Sequence, residues 1–217
     1  MKKHKRILKW IPLLAALVLA LGTLIVYSVT TEEISVLIYP QIIATALVPA
    51  IFPVLGKITK RDYPIFVNVL ITIHIVLASD LGSALSFYSR FSFWDLLMHG
   101  YFGFVFAVIM YMFLLQWNGE KLNKFGFLSL IFLSTSGAAA LWEVWEFLCD
   151  TFLGCDAQRV QEALANNISP VSDTMTDIII AFAGVLVFYI ALYIDKLFDY
   201  KVSRVISAKV TGNKLNC

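Results

Sequence analysis

The sequence predicts an all-α polytopic membrane protein, one bundle of about six transmembrane helices with both termini in the cytoplasm. Three observations carry that reading: 59% of the 217 residues are hydrophobic, only 15% are charged, and the mean hydropathy is +0.80. A soluble domain has about a quarter of its residues charged, so lipid has to be the solvent for most of this chain. Helices are preferred to a β-barrel because the apolar runs are long and lack the apolar/polar alternation of barrel strands. A helix also closes its own backbone hydrogen bonds in lipid.

A bilayer core of roughly 30 Å takes about 20 apolar residues at 1.5 Å each. Six such runs occur, at about residues 10–29, 34–56, 64–86, 94–117, 125–149 and 174–195. The first follows the basic stretch MKKHKRILKW but ends in YSVTTEE rather than a small-residue cleavage site, so it is expected to be a retained helix. In the second, Pro40, Pro49 and Pro53 remove backbone donors, which predicts a kink or two separate pieces. Asn68 and His74 lie in the third, where His74 reads as a hydrogen-bonded bundle residue rather than a ligand. The longest connection, about residues 150–173, is expected to hold a short amphipathic helix around Asp156 to Ala165. Trp10, Trp94, Trp117, Trp142 and Trp145 fall mostly near span ends and read as an interfacial belt. With no repeat and no Gly/Ser linker, residues 1–217 form a single domain.

Charge distribution orients the bundle. Of 17 Lys and Arg residues, all but Arg90 and Arg159 fall on one side: Lys2, Lys3, Lys5, Arg6 and Lys9; Lys57, Lys60 and Arg61; Lys121 and Lys124; Lys196, Lys201, Arg204, Lys209 and Lys214. The positive-inside rule makes that side cytoplasmic. Among 15 acids only Asp62, Glu120, Asp195 and Asp199 share it. The net charge of +2 hides this segregation and gives no reason to expect nucleic acid; the basic ends meet anionic lipid headgroups instead. Of the three cysteines, Cys149 and Cys155 lie near the outer end of the fifth span and are read as two thiols in preference to a disulfide, and Cys217 is the last residue.

Acids within the spans form a pattern. A charged residue at a helix centre costs about 2.5 to 3.5 kcal/mol on insertion scales. The fourth span begins FWDLLMHGYFG, with Asp95 and His99 at i and i+4; the fifth reads LWEVWEFLCD, with Glu143, Glu146 and Asp150; the sixth begins SDTMTDIII, with Asp173 and Asp177. These spacings put each set on one helix face. Helices four and six enter from outside and helix five leaves there. Counting 1.5 Å per residue therefore sets His99, Glu146 and Asp177 at one level, about 6 Å below Asp95, Asp150 and Asp173, with Glu143 deeper still. Something must compensate such a cluster: a divalent metal, shared protons, or Arg90 and Arg159 folding over it. Oxygen-rich ligands with one imidazole suit Zn, Mg or Mn.

The succession WDLLMH, WEVWEFLCD and DTMTD followed by Gly184, over about residues 90–185, resembles the uncharacterised bacterial membrane family called YjdF-like. It is more weakly similar to VanZ-like proteins, from which it departs in having Glu146 where Gln is usual and Asp177 where Asn is frequent. The resemblance implies a multi-pass protein of the bacterial cytoplasmic membrane and treats the polar residues as one unit, without naming a substrate.

The reading favoured for function is a metal-dependent hydrolase or transferase acting on a lipid or cell-envelope precursor at the outer leaflet. His99 or Glu146 would be the general base, with ligands drawn from Asp95, His99, Glu143, Glu146, Asp173 and Asp177, and with Asp150 and Arg159 around them. A cation- or proton-coupled transporter, or a structural or regulatory subunit, is the alternative. The chain has no GxSxG, HExxH or Walker A sequence, which removes the enzyme classes those motifs mark.

Overall fold

A computed structural model describes residues 8–30, 37–117 and 121–211, and among these every regular element is helical. Lys2, Lys3, Lys5, Arg6, Glu120, Lys214 and Cys217 lie outside the described residues. In chain order the helices are α1 (Ile11–Thr30), α2 (Ile38–Leu47), α3 (Ile51–Thr59), α4 (Ile65–Ile75), α5 (Phe87–Arg90), α6 (Trp94–Gln116), α7 (Lys124–Leu153), α8 (Val160–Ala165), α9 (Pro170–Leu197) and α10 (Lys201–Val210). A 3-10 turn at Val48–Ala50 joins α2 to α3, and a π-helical stretch at Val76–Ala84 extends α4. Six stretches are long and apolar enough to cross a membrane: Ile11–Thr30, Ile38–Thr59, Ile65–Ala84, Trp94–Gln116, Lys124–Leu153 and Pro170–Leu197. They coincide with the six apolar runs, the last two lengthened at both ends.

Side-chain distribution is that of a protein dissolved in lipid. Large apolar side chains face outward, with Val18 at 71%, Ile58 at 72% and Leu141 at 70% exposure, while buried positions go to small residues such as Ala16, Thr45, Ala107, Thr135 and Ala181. Lipid tails are as apolar as leucine, so helices gain by close backbone approach rather than by burying bulk.

Packing divides the chain into two units, Met1–Met98 with Asp195–Cys217, and His99–Ile194, the division falling inside α6 just before His99. In the first unit the second span is indeed in two pieces. Pro53 has no N–H to offer the Pro49 carbonyl, and Asn68 of α4 supplies the missing donor, its Nδ2 lying 2.9 Å from that oxygen. Asn68 is 2% exposed, so the bond is made away from solvent. At the other end of this unit the Asp195 carboxylate accepts from the backbone N–H groups of Val202 (2.8 Å) and Ser203 (2.9 Å), fixing the start of α10. Trp94 departs from the expected belt: it is 9% exposed and packs edge-on against Phe87 with ring centroids 4.9 Å apart.

In the second unit, local signals set the ends of the long helices. Asn123 caps α7 by accepting from the Gly126 N–H at 2.7 Å, and Gly154, at φ +65°, closes it in the left-handed conformation that favours glycine. Asp150 then holds the following turn, accepting from the N–H groups of Ala157 (2.6 Å) and Gln158 (3.0 Å). The expected short helix is present as α8, six residues long. Helices α6 and α9 meet through glycine: a Cβ at Gly184 would stand 2.1 Å from the Gly100 carbonyl oxygen, and one at Gly103 would stand 2.0 Å from that of Ala181. The Tyr189 hydroxyl donates to the Leu128 carbonyl at 2.6 Å and ties α9 to α7.

Candidate functional site

The glycine contact between α6 and α9 brings His99 and Asp177 together, and the C-terminal half of α7 adds Glu143. The three are 8%, 2% and 5% exposed. The imidazole lies between two carboxylates: Nδ1 is 3.8 Å from Glu143 Oε1, and Nε2 is 3.9 Å from Asp177 Oδ2. Both spacings exceed a hydrogen bond of 2.7–3.2 Å. Asp95, one turn ahead of His99 on the same continuous helix, completes a set in which single ligating atoms of Asp95, His99 and Asp177 all lie within 4.8 Å of one another.

Two ligand atoms each about 2.1 Å from a shared metal lie at most about 4.2 Å apart. The His99 to Asp177 spacing is within that limit, and a modest inward movement would satisfy the widest pair. Glu143 faces the other ring nitrogen. A carboxylate facing that nitrogen, drawn into hydrogen-bond reach, would fix the tautomer and direction of a ligating histidine. Charge points the same way. Asp95, Glu143 and Asp177 bring three carboxylates against one imidazole in a low-dielectric interior, and a divalent ion offsets the excess directly.

The remaining candidates are placed as follows. Glu146 is half-buried on α7 and accepts a hydrogen bond from the Trp142 indole N–H at 2.8 Å. Asp173, also half-buried, sits one turn before Asp177 on α9. Asp150 anchors the turn after α7, and Gln158 of that turn reaches Thr174 (3.3 Å), linking it to the start of α9. Arg159 pairs with Glu162 within its own helix through Nε at 2.9 Å, and Arg90 is exposed at the end of α5.

Depth counting is corrected at one point: Glu143, expected below the level of His99, is its neighbour. The cause is the length of α7. Its 30 residues span about 45 Å, against about 35 Å for the 23 residues of α6. Its last turns therefore stand beyond the level where α6 begins, and the acid nearer the helix centre lies beside the histidine.

Cys149 and Cys155 are unbridged, the first buried and the second half-buried. Burial, followed by the neighbouring Cys149 and Asp150, pushes the Cys155 thiol above its ordinary range.

Sequence reasoning passed over Asp80, an acid 1% exposed within the π-helical stretch. Its signal was available, since it is a lone acid inside the third apolar run.

A family model described as "Predicted membrane protein (DUF2238)" matches residues 9–196. The chain belongs to the DUF2238 family. This is the YjdF-like family, and the matched stretch contains every residue of the His99 cluster. An "Uncharacterized protein" of Thermotoga maritima is 27% identical to the DUF2238 chain over 156 residues, covering 72% of this chain and 69% of the relative. No solved structure matches. Neither description names a reaction, so the function of this DUF2238 protein has to be argued from geometry.

Proposed function

We propose that this protein binds a divalent metal through Asp95, His99 Nε2 and Asp177, with Glu143 orienting the imidazole, and that it is a hydrolase or transferase for a lipid or cell-envelope precursor. The observation that carries the reading is the buried imidazole with a different carboxylate facing each ring nitrogen. A ligating histidine uses one nitrogen for the metal and the other for its orienting partner. Zn, Mg and Mn all suit a set of two carboxylates and one imidazole.

Such a metal supplies Lewis acidity and lowers the pKa of bound water toward 7. The protein's own groups supply the rest. Glu146, half-buried and one turn from Glu143 toward the outer end of α7, is assigned the proton-transfer role. Its carboxylate accepts from the Trp142 indole N–H at 2.8 Å, which fixes its direction. The turn held by Asp150 links the ends of α7 and α9 through Gln158 and Thr174. A membrane-embedded site suits a substrate whose own tails stay in lipid. The asymmetry of basic residues supports a site opening away from the cytoplasm.

Two measurements test this. Metal analysis of detergent-purified protein should find about one divalent ion per chain in wild type and in Glu146→Ala, and at least tenfold less in His99→Ala and Asp177→Asn. Metal-free wild type would end the metal reading and leave a hydrogen-bonded network that only fixes the helices. For orientation, a reporter active only in the cytoplasm should work when fused after residue 211 and fail when inserted at Gly154; the reverse pattern would refute the inward placement of the C-terminus.

A further inference from the structure

The first unit contains a second concentration of buried oxygen, unrelated to histidine. Asp80 is 1% exposed, and neither of its carboxylate oxygens has a hydrogen-bond partner. The hydroxyls of Thr45 on α2 and Thr23 on α1 bear on the carboxylate, though neither meets it at strict hydrogen-bonding geometry. Both are themselves buried, at 0% and 9% exposure. The Thr45 hydroxyl also lies 3.3 Å from the Gln41 carbonyl oxygen.

Helix α2 carries two further oxygens. Pro49 denies the Thr45 carbonyl its usual helical donor, and Gln41 Oε1, one turn away on the same helix, is buried with no partner. Asp80 itself lies in a π-helical stretch, whose widened turns disturb the ordinary ladder and recur at functional sites.

A buried carboxylate beside further oxygen acceptors is costly in a low dielectric unless something positive sits among them. A carboxyl proton can satisfy one acceptor only. A hard cation satisfies all of them, and a single negative charge among neutral oxygens balances one positive charge, not two. We propose that Asp80, Thr23 and Thr45 form a Na+ site in the first unit, with the α2 carbonyl freed by Pro49 as a further ligand. This site uses residues of three different spans, so occupancy would hold α1, α2 and the π-helical stretch together.

The test is thermal unfolding of the full-length protein in detergent, in NaCl against choline chloride at equal ionic strength, together with equilibrium dialysis against radioactive sodium. Wild type should gain roughly 3–6 °C at ten times the half-saturating Na+ concentration and retain about one Na+ per chain. Both effects should vanish in Asp80→Asn. Thr45→Val, which keeps the carboxylate and the shape, should weaken Na+ affinity at least tenfold, and it carries the test if Asp80→Asn does not fold. Equal midpoints in Na+ and choline with no sodium retained would overturn the proposal, as would a Na+ effect that survives in Thr45→Val unchanged. An infrared carboxylic-acid band in Na+ buffer, lost in Asp80→Asn, would equally overturn it by showing a proton in the place assigned to sodium.

Discussion

Gly184→Ala probes the contact that builds the His99 centre. The added Cβ would lie 2.1 Å from the Gly100 carbonyl oxygen and 2.7 Å from the Phe104 nitrogen. Both are backbone atoms, so no side-chain rotation relieves the clash. Reaching ordinary contact requires α6 and α9 to separate locally by about 1.3 Å, an overpacking change of the kind that costs about 1–3 kcal/mol. For a chain of this size that is a fall of roughly 2 to 12 °C in the unfolding midpoint.

The same displacement acts on the site. The His99 to Asp177 spacing of 3.9 Å would open toward about 5 Å, beyond the roughly 4.2 Å that one metal can bridge. Bound metal should therefore fall at least tenfold. Tryptophan fluorescence during heating and metal analysis of the purified protein read the two effects. Gly137→Ala is the control, because a Cβ there meets nothing within 4 Å, and the higher helix propensity of alanine should leave the midpoint equal or slightly higher. If Gly184→Ala matched Gly137→Ala in both midpoint and metal content, the close approach of α6 and α9 would not be what positions the site.

Two further expectations concern single groups. Glu143→Gln keeps the shape but removes the charge facing His99 Nδ1, and should weaken metal binding about 10–100-fold without abolishing it; titration with a competing chelator measures this, and an unchanged affinity would remove Glu143 from the orienting role. Because burial raises the Cys155 thiol, less thiolate is present at neutral pH than for an ordinary cysteine. Alkylation of native protein should therefore be slow near pH 7 and accelerate at a pH above the usual thiol midpoint, while unfolded, unreduced protein should label at both Cys149 and Cys155. Labelling of neither residue after unfolding would mean a disulfide.

By itself the sequence determined the helical fold and the number of spans, since each depends only on local composition: an apolar run long enough to cross lipid has to close its own backbone bonds. It also picked out Asp95, His99, Glu143 and Asp177, because a polar group inside such a run is conspicuous and the i, i+4 spacing puts neighbours on one face. Which acid meets the imidazole was beyond it. Depth counted from the end of an apolar run assumes helices of equal reach, and the overlong α7 shifts that count by about one turn, exchanging Glu146 for Glu143 beside His99. Asp80 shows the same limit from the other side. A lone acid inside an apolar run is visible but has no periodic neighbour, and only the packing around the π-helical stretch shows that its carboxylate is buried with neither oxygen hydrogen-bonded. Composition is a property of each segment, whereas these pairings arise between segments far apart in the chain, and the tertiary structure alone decides them.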